Sequence, residues 1–586
     1  IMSIVNEVKI PRVRRTRIKG RSHTFDFNCR IGELIPFLCE ELVAGDIVKY
    51  GVESVVQFPA LKKPLFSDGW KVDFFYFFTP FRVLWKPWVD FLPVYSSYDE
   101  GGLNVTPTLP RIKKYNYLTD VSTYPVGSDL PNCSYSEWSA DFFYSDDKLQ
   151  SSDFTQMFTT FDYLGQNSVR WDSINQTYVS ANPTGKSLPI DFGQRSYLAI
   201  YEYFFRDENL DKSVWNFETS SPICVNSYAN IMPPMNAGIL TRAWKKDYFT
   251  GGLPWIQKGV APALPLYGTG SLVDSSLRSV EGSSYGDPIL THSSTVAEAS
   301  IARGIVDYDQ LTEQYSDIGS HKNLGVTPTV DLDNVTSVDV SELWTSIQIQ
   351  KFLERNAHVG TRYNEFLLAH YGVAPRDETL QRPQFLGSTS QPVFVSEVVQ
   401  NSESDNTPQG NKAGKAVSVG ADYVGKFHCK EPGLLMGIMC ISPKALYTQG
   451  VQKLWLKDSP YDFYNQLFEN LSDQPTYNAE IFLADGDGTG DSDNRGIFNY
   501  MPRFAEYKIA NDRVAGDLRN TLSMWHTGRI MESLPNFNSA FLHMGYSSLD
   551  RIFAVGGDTR NCICHVVNKL DMLRPMSYLN MVGSKI

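Results

Sequence analysis

The clearest pattern of apolar and polar positions lies between Trp70 and Thr79, where apolar side chains occupy every second position. The apolar face consists of Trp70, Val72, Phe74, Tyr76 and Phe78. A period of two predicts a β-strand, and its second half should be covered on both sides because the opposite face turns from polar to apolar. Pro80 predicts the end of this strand. The apolar run from Gly433 to Ile441 predicts a second, buried strand.

A helical period appears in residues 341–371 and predicts the main helical region of the chain. The residues that fall at helix spacing are Tyr363, Phe366, Leu367 and His370. Gly372 is a natural stop, because glycine readily ends a helix in the left-handed conformation. From about residue 392 to the end, short strand-like runs broken by turns return, and we find no long internal repeat.

Two segments depart from these patterns. Residues 101–200 are rich in Asp, Ser, Asn, Tyr and Pro, which predicts long surface loops. Residues 268–340 are dominated by Ser, Thr, Gly, Asp and Val and contain neither Trp nor Phe. This composition gives the segment a weak core of its own, so we expect an insertion that projects outward.

Composition supports a folded protein built mainly from strands and structured loops. Of the 586 residues, 42% are hydrophobic, 20% are charged and 13% are aromatic. The eight cysteines form no disulfide framework, which favours free thiols in a reducing cytoplasm. No apolar run reaches the roughly 18 residues that a membrane span needs. The N-terminal basic cluster follows the apolar residues, so we do not expect a secretory signal.

The net charge is −12, yet residues 1–22 form a basic arm with six basic residues in ten positions and no acid among them. The basic residues are Arg12, Arg14, Arg15, Arg17, Lys19 and Arg21. Like charges this dense resist packing, so we expect an extended segment. Arginine pairs well with phosphate, which makes this segment the candidate nucleic-acid contact. A solvated tail or a tail that bridges neighbouring molecules is the alternative.

Two clusters raise the question of a metal site. Asp485, Asp487, Asp491 and Asp493 occupy positions 1, 3, 7 and 9 of a calcium-type loop, but Gly496 stands where a bidentate glutamate belongs. We therefore favour a flexible acidic turn over a metal site there. The sequence Cys562-x-Cys564-His565 lacks a second pair of close ligands, so we favour core packing over zinc.

No further element predicts catalysis or a cofactor. His370 and His428 are interpreted as structural, and no nucleophile elbow, zinc-protease helix or phosphate-binding loop occurs. The sequence does not decide whether two carboxylates lie at the distance that glycosidic chemistry needs, because that distance depends on the three-dimensional fold. The aromatic clusters at residues 74–78 and 201–205 favour core or interface packing over a sugar-binding platform.

Several blocks of the chain resemble the major capsid proteins of the Microviridae, closest to the gokushovirus type. Near the N-terminus they include Gly32-x-Leu34-x-Pro36, the turn Ala44-Gly45-Asp46 and the aromatic strand with its Trp-containing tail at residues 70–92. Residues 347–402 carry the most specific match. Its motifs are Gln350-Lys351-x-Leu353-Glu354-Arg355, Gly360-Thr361-Arg362-Tyr363, His370-x-Gly372-Val373 and Leu380-Gln381-Arg382-Pro383-x-Phe385-Leu386-Gly387. The remaining similar blocks lie at residues 201–210, 245–259, 496–508, 525–536 and 572–578.

This resemblance implies a mainly β fold: an eight-stranded antiparallel jelly roll with very long insertion loops and a few short helices. It implies a basic arm at residues 1–22 and a single jelly-roll domain at residues 23–586. Surface loops are then expected at residues 101–200, and a variable surface protrusion that contacts the host at residues 268–340. The gokushovirus type favours threefold axes for this protrusion.

The same resemblance implies a structural protein and not an enzyme. Sixty copies, grouped as pentamers, are expected to form a T=1 icosahedral shell around circular single-stranded DNA. The implied partners are a small basic DNA-binding virion protein, a pilot or minor capsid protein, a scaffolding protein and a host cell-surface receptor. No membrane insertion is implied, and the protein belongs in the virion, assembled in the bacterial cytoplasm. The alternative left open by composition is a β-rich carbohydrate-binding protein or glycoside hydrolase.

Overall fold

The computed structural model describes residues 15–65, 69–91, 160–165, 169–172, 177–180, 190, 192–211, 239–262, 271–274, 329–331, 340–359, 362–401, 409–469, 473–484, 494–544, 547–554 and 561–576. The chain divides into two compact units, one formed by residues 1–256 with 356–586 and the other by residues 257–355.

Strands dominate the described residues. In chain order they are β1 (Thr16–Ile18), β2 (His23–Cys29), β3 (Ile35–Leu42), β4 (Ile47–Gln57), β5 (Lys71–Pro80), β6 (Val169–Asp172), β7 (Thr177–Ser180), β8 (Ser271–Asp274), β9 (Thr329–Asp331), β10 (Gln384–Pro392), β11 (Phe394–Val399), β12 (Lys412–His428), β13 (Gly433–Ser442), β14 (Gln474–Tyr477), β15 (Ile497–Met501) and β16 (Cys562–Arg574). The strands predicted around residues 70–79 and 433–441 are confirmed as β5 and β13.

Most helices are a single turn. They are α1 (Phe81–Leu84), α2 (Trp88–Phe91), α3 (Thr160–Tyr163), α4 (Phe192–Ile200), α5 (Val340–Val359), α6 (Tyr363–Tyr371), α7 (Asn478–Ile481), α8 (Ala505–Lys508) and α9 (Ser539–Leu542), with a π-helical turn at Tyr201–Phe205. Short 3-10 segments lie at Lys453–Trp455, Pro460–Asp462, Gln466–Phe468, Gly516–Arg519, Ser523–Trp525 and Ser547–Ile552. The helical region predicted at residues 341–371 forms two helices, and Gly372 ends α6 with a φ of 68°.

Two antiparallel sheets build the centre of the larger unit. The six-stranded sheet has the order β1-β16-β4-β12-β11, with β2 also paired to β16. The four-stranded sheet has the order β10-β5-β13-β3. The sheets pack face to face, and their core includes a ring contact of 4.9 Å between Tyr50 of β4 and Tyr76 of β5. The expectation of a mainly β protein with antiparallel sheets and a few short helices is confirmed.

Two long insertions leave the sandwich at opposite ends. The first insertion, residues 81–383, follows β5, and the second, residues 443–561, follows β13. Because β5 and β13 are antiparallel, Pro80 lies opposite Gly433 at one end and Ser442 lies opposite Lys71 at the other. Shorter pairs are β14 with β15 and β6 with β7 in the larger unit, and β8 with β9 in the smaller one.

Candidate functional site

The end of the basic arm lies on the edge of the six-stranded sheet. Residues 16–18 form β1, which pairs with β16 so that Thr16 lies opposite Arg574. Of the six basic candidates, Arg15, Arg17, Lys19 and Arg21 are described and exposed. Arg12 and Arg14 lie outside the described residues, and so do Asp485, Asp487, Asp491 and Asp493 of the acidic loop.

Two of the described basic side chains are engaged with acids far away in the sequence. Arg17 donates from Nε to Oδ1 of Asp571 at 2.8 Å, and Arg21 donates from Nε to Oε2 of Glu40 at 3.1 Å. The hydrogen bond from Arg17 holds the pKa of Asp571 below its usual value. These contacts fix the base of the arm against the sheet, while Arg15 and Lys19 present their charge to solvent.

A buried ion pair lies beside this edge and joins two of the blocks noted in the sequence. Asp46, which is fully buried, accepts a hydrogen bond from the backbone N–H of Val43 at 2.9 Å and one from Nε of Arg574 at 3.0 Å. Nη2 of Arg574 also donates to the carbonyl of Glu41 at 2.7 Å. The turn at residues 44–46 is therefore closed by the last residue of β16.

Arg362, from the most specific block, binds the middle block at residues 201–210. Its Nη2 donates to the carbonyl of Glu202 at 2.9 Å and to that of Arg206 at 3.1 Å. The carbonyl of Glu202 belongs to the π-helical turn and that of Arg206 follows it directly, at an end where backbone acceptors lack helical partners. Arg362 also forms an ion pair with Glu208. The guanidinium thus fastens the start of α6 to the end of the π-helical turn.

A third junction joins residues 245–259 to residues 496–508. Asp247 accepts hydrogen bonds from the backbone N–H groups of Phe249 at 2.9 Å and Thr250 at 2.8 Å, and Tyr447 donates to its Oδ2 at 2.8 Å. Asn499 donates from Nδ2 to the carbonyl of Phe249 at 2.7 Å. A Cβ added at Gly252 would approach this asparagine to 2.2 Å, so the close contact requires glycine.

The Cys-x-Cys-His sequence is divided between the two faces of β16. Cys562 and Cys564 are buried in the sandwich, whereas His565 is exposed on the opposite face. Sγ of Cys564 lies 3.6 Å from Sγ of Cys29. Alternate strand positions point to opposite faces, so the two thiols and the imidazole cannot converge on one ion. The interpretation as core packing is confirmed for the thiols.

The aromatic clusters also pack against each other. The ring of Phe77 lies 4.9 Å from that of Phe204, and the ring of Phe75 lies 5.4 Å from that of Phe205. The ring centre of His370 lies 4.4 Å from that of Phe366, and Nε2 of His370 lies 2.7 Å from Oδ1 of Asn356. These contacts confirm the prediction that the clusters serve packing, and that His370 is structural.

The similarity of these blocks to known sequences did not indicate which of them pair. Arg574 was available as the lone cation of an otherwise apolar block, and such cations usually need a buried partner. Arg362 carried no such signal, because its block also contains Lys351 and Arg355. Within the described ranges, no group of three or more His, Cys, Asp or Glu side chains is placed to hold a metal ion. No helix there is long and apolar enough to cross a membrane. Arg574 joins two blocks within the sandwich, Arg362 joins two blocks of the first insertion, and Asn499 joins the second insertion to the first. Motif side chains that are committed to such internal contacts are those of a structural protein.

Comparison with known proteins agrees with that class. Residues 4–111 and 177–583 match the family described as capsid protein (F protein). The chain is 27% identical to capsid protein VP1 of Chlamydia phage 1, over 99% of this chain and 97% of that protein. It is 26% identical to capsid protein VP1 of Bdellovibrio phage phiMH2K, over 91% and 89%. It is 30% identical to capsid protein VP1 of Spiroplasma virus 4, over 62% and 67%.

The chain belongs to the capsid protein (F protein) family, and its relatives are capsid proteins of Microviridae. It is a structural major capsid protein of the virion and not an enzyme, as the resemblance predicted. The family decides against the carbohydrate-active protein that composition had left open.

Proposed function

We propose that sixty copies of this chain form a T=1 icosahedral shell around circular single-stranded DNA, and that pentamers are the intermediate. The observation that carries the proposal is the connection of the strands. Four strands pair in the order β2-β16-β4-β12, and four others pair in the order β10-β5-β13-β3. Along the chain the strands go from the first sheet to the second and back, as in an eight-stranded jelly roll built from two Greek keys.

In this proposal the sandwich is the wall of the shell and the two insertions supply contacts between subunits. Identical subunits that bury different surfaces against each other form closed rings and shells when the rotations close. Residues 23–586 would then form one jelly-roll domain with insertions. Of the surface loops expected at residues 101–200, residues 101–159 lie outside the described residues. The prediction is wrong for residues 192–200, which form the helix α4 and are all buried.

The basic arm, residues 1–22, is proposed to face the interior and contact the DNA backbone. Binding to phosphate requires positive charge without base-specific geometry. Arg15 and Lys19 are exposed members of the arm. Arg17 and Arg21 fix the base of the arm to the sheet. A small basic virion protein would share this role.

Residues 268–340 are proposed to form a protrusion at the threefold axes that touches a host receptor. Support comes from the separation of residues 257–355 as a compact unit of their own. Deleting the insertion should leave assembly intact and abolish attachment to the host. A pilot or minor capsid protein and a scaffolding protein are proposed as further partners, with assembly in the bacterial cytoplasm.

The test is electron microscopy and sedimentation of particles from cells that produce the chain with the other structural proteins of its phage. Uniform icosahedral particles or pentamer-sized rings would support the proposal, and a monomer at all concentrations would contradict it. For the arm, Arg12, Arg14, Arg15 and Lys19 would be changed to glutamine together. The particles should then carry less DNA, and the salt dependence of single-strand binding should fall by about 0.7 in slope for each phosphate that the arm no longer neutralises.

A matched control keeps the change in net charge but places it elsewhere. The four exposed lysines chosen for it are Lys62, Lys71, Lys86 and Lys245. Their change to glutamine should leave the DNA content and the salt slope unaltered. Equal losses in both variants would mean that net charge, and not the arm, governs packaging.

A further inference from the structure

The second insertion presents an exposed aromatic surface that none of the contacts described above explains. We call it the aromatic patch, and its residues are Trp455, Tyr461, Phe463, Tyr464, Leu467 and Tyr507. The five aromatic members are between 53% and 73% exposed, and Leu467 is 83% exposed. Five of the six lie within the segment 451–469, which is a series of 3-10 turns without a sheet partner among the described strands.

A buried lysine holds this surface in place. The side chain of Lys457 is only 2% exposed, and its Nζ lies 4.3 Å from the ring centre of Tyr507 and 5.3 Å from that of Phe463. Nζ also donates to the hydroxyl of Tyr507 at 2.9 Å and pairs with Glu506 at 3.2 Å. A desolvated cation between aromatic rings stabilises both rings, so two members of the patch have a fixed orientation.

The base of the patch is equally well defined. The ring of Tyr464 lies edge-on to that of Phe504 at 5.2 Å, and Nη2 of Arg503 donates to the carbonyl of Tyr461 at 2.7 Å. Phe504 is buried and has a φ of 60°, a region that bulky residues rarely adopt. The backbone N–H of Phe504 donates a hydrogen bond to Oε1 of Gln474 at 3.0 Å. Surfaces that are ordered before binding lose less conformational entropy when a partner docks.

The charges around the patch are paired within the chain. Besides the pair of Lys457 with Glu506, Arg495 pairs with Asp458, and Lys508 lies 3.9 Å from Glu469. A surface that stacks single-stranded DNA combines aromatic rings with cations available for phosphate. Here three of the cations already face carboxylates, and Arg503 donates to a backbone carbonyl, so the patch suits an uncharged protein surface better than nucleic acid.

The exposed area is close to what one side of a protein interface needs. At about 200 Å² for a whole aromatic side chain, the five aromatic residues expose roughly 600 Å². A stable interface buries about 800 Å² on each partner, and its centre is enriched in Tyr, Trp and Phe. A patch of this size lies at the upper end of what monomeric proteins expose, where patches are often functional.

We propose that the aromatic patch is a contact with a second copy of this chain within the shell. The inference rests on the proposed function, because it takes the assembly of identical subunits as given and names one surface that they use. Trp455 and Leu467 lie among its most exposed members and would enter a neighbouring subunit, as expected for residues that dominate binding energy.

The test is sedimentation of particles carrying Trp455→Glu or Leu467→Glu, made in cells together with the other structural proteins of the phage. Each variant should shift material from shells or pentamers to smaller species, so that assembly requires at least about tenfold more protein. The matched control is Val260→Glu, at a side chain that is 91% exposed outside the patch. Thermal unfolding of the unassembled chains should be the same for all three variants.

The outcomes separate the possible occupants. Normal shells from both patch variants would overturn the inference while leaving the proposed function intact. If the patch variants assembled normally but lost binding to a glycan array, the patch would be a sugar platform and the inference would be wrong. If the unaltered chain formed no oligomer under these conditions, the proposed function itself would fail. Lys457→Met should weaken assembly less than Leu467→Glu, because it disturbs only the order of the patch.

Discussion

The two sheets of the sandwich differ in how their outer faces are covered. In the four-stranded sheet, β13 is buried at nine of its ten residues, so both of its faces are hidden. In the six-stranded sheet, β16 alternates between buried residues and residues that are exposed or half-buried, and its outer face is open. A strand that is apolar throughout and a strand that alternates thus lie on the two sides of one core.

The first insertion causes this difference. α4 and the π-helical turn place Tyr197, Leu198 and Tyr201 against Phe77 and Met436 of the four-stranded sheet. The outer face of the six-stranded sheet instead leaves large apolar side chains exposed, namely Phe394, Val419, Tyr423 and Ile563. In a shell subunit, the outer face of the four-stranded sheet is therefore covered by the same chain. The outer face of the six-stranded sheet is exposed to solvent or to neighbouring molecules.

The largest expected effect on stability comes from removing a ring that α4 and the π-helical turn cover. Phe77→Ala should lower the free energy of unfolding by about 3–5 kcal/mol, because a buried phenylalanine leaves a cavity. Phe394→Ala, at a ring that is 62% exposed on the edge strand β11, should cost no more than about 1 kcal/mol. Denaturant unfolding of the unassembled chain measures both. Similar losses would show that the two faces are not covered differently.

The next effect concerns two Asp–Arg pairs that both involve β16. Asp46→Ala leaves Arg574 without its buried carboxylate and should cost about 3 kcal/mol in the free energy of unfolding. Asp571→Ala breaks the exposed pair with Arg17 and should change it little, since solvent already screens that contact. The same unfolding experiment compares them. A large loss for Asp571→Ala would mean that the base of the arm is part of the sheet's stability.

Local patterns predicted β5, β13 and the helical region, because each depends on neighbours within one element. They did not predict the division between α5 and α6. Apolar spacing continues across that point, but Arg362 is held in an extended conformation by carbonyls of the π-helical turn. Tertiary contacts of this kind override local propensity.

The candidate site shows the same limit. Six basic residues in ten positions predict a uniformly charged arm, yet Arg17 is paired with Asp571, 554 residues away. Asp46 and Arg574 are 528 residues apart. Partners at such distances follow from the order of the strands, which no local composition records. The similarity of whole blocks indicated that they matter, but the sandwich was needed to show which blocks touch.

Stability should depend on pH through the contact that joins the residues after the π-helical turn to the second insertion. Oδ2 of Asp211, after the π-helical turn, lies 3.0 Å from Nε2 of His543 at the end of α9. Burial acts to raise the pKa of Asp211, but hydrogen bonds from His543 and Ser539 outweigh it and hold the pKa below its ordinary value of 3.8. A depressed carboxyl pKa stabilises the folded state above pH 3.8, and this stability is lost as the pH falls through the folded value.

Asp211→Asn should therefore be less stable than the unaltered chain at pH 7, and the difference should disappear as the pH falls below 3.8 and through the depressed pKa of Asp211 in the folded state. Unfolding midpoints measured in steps from pH 7 to pH 2.5 would follow it. Asp26→Asn, which removes an exposed carboxylate that contacts His565 on the open sheet, is the control and should change the unfolding midpoint little at pH 7. Parallel curves for the unaltered chain and Asp211→Asn would contradict the assignment.

The smallest effect on the chain itself is expected on the open face. Tyr423→Ser, at a side chain that is 66% exposed on β12, should change the free energy of unfolding of the unassembled chain by less than about 0.5 kcal/mol. In assembled particles we expect a lower melting temperature, because an apolar face left open by the chain should be covered in the shell. An unchanged melting temperature of the particles would show that this face stays in contact with solvent. The two sheets would then differ only in how the chain covers itself, and not in what the shell does with them.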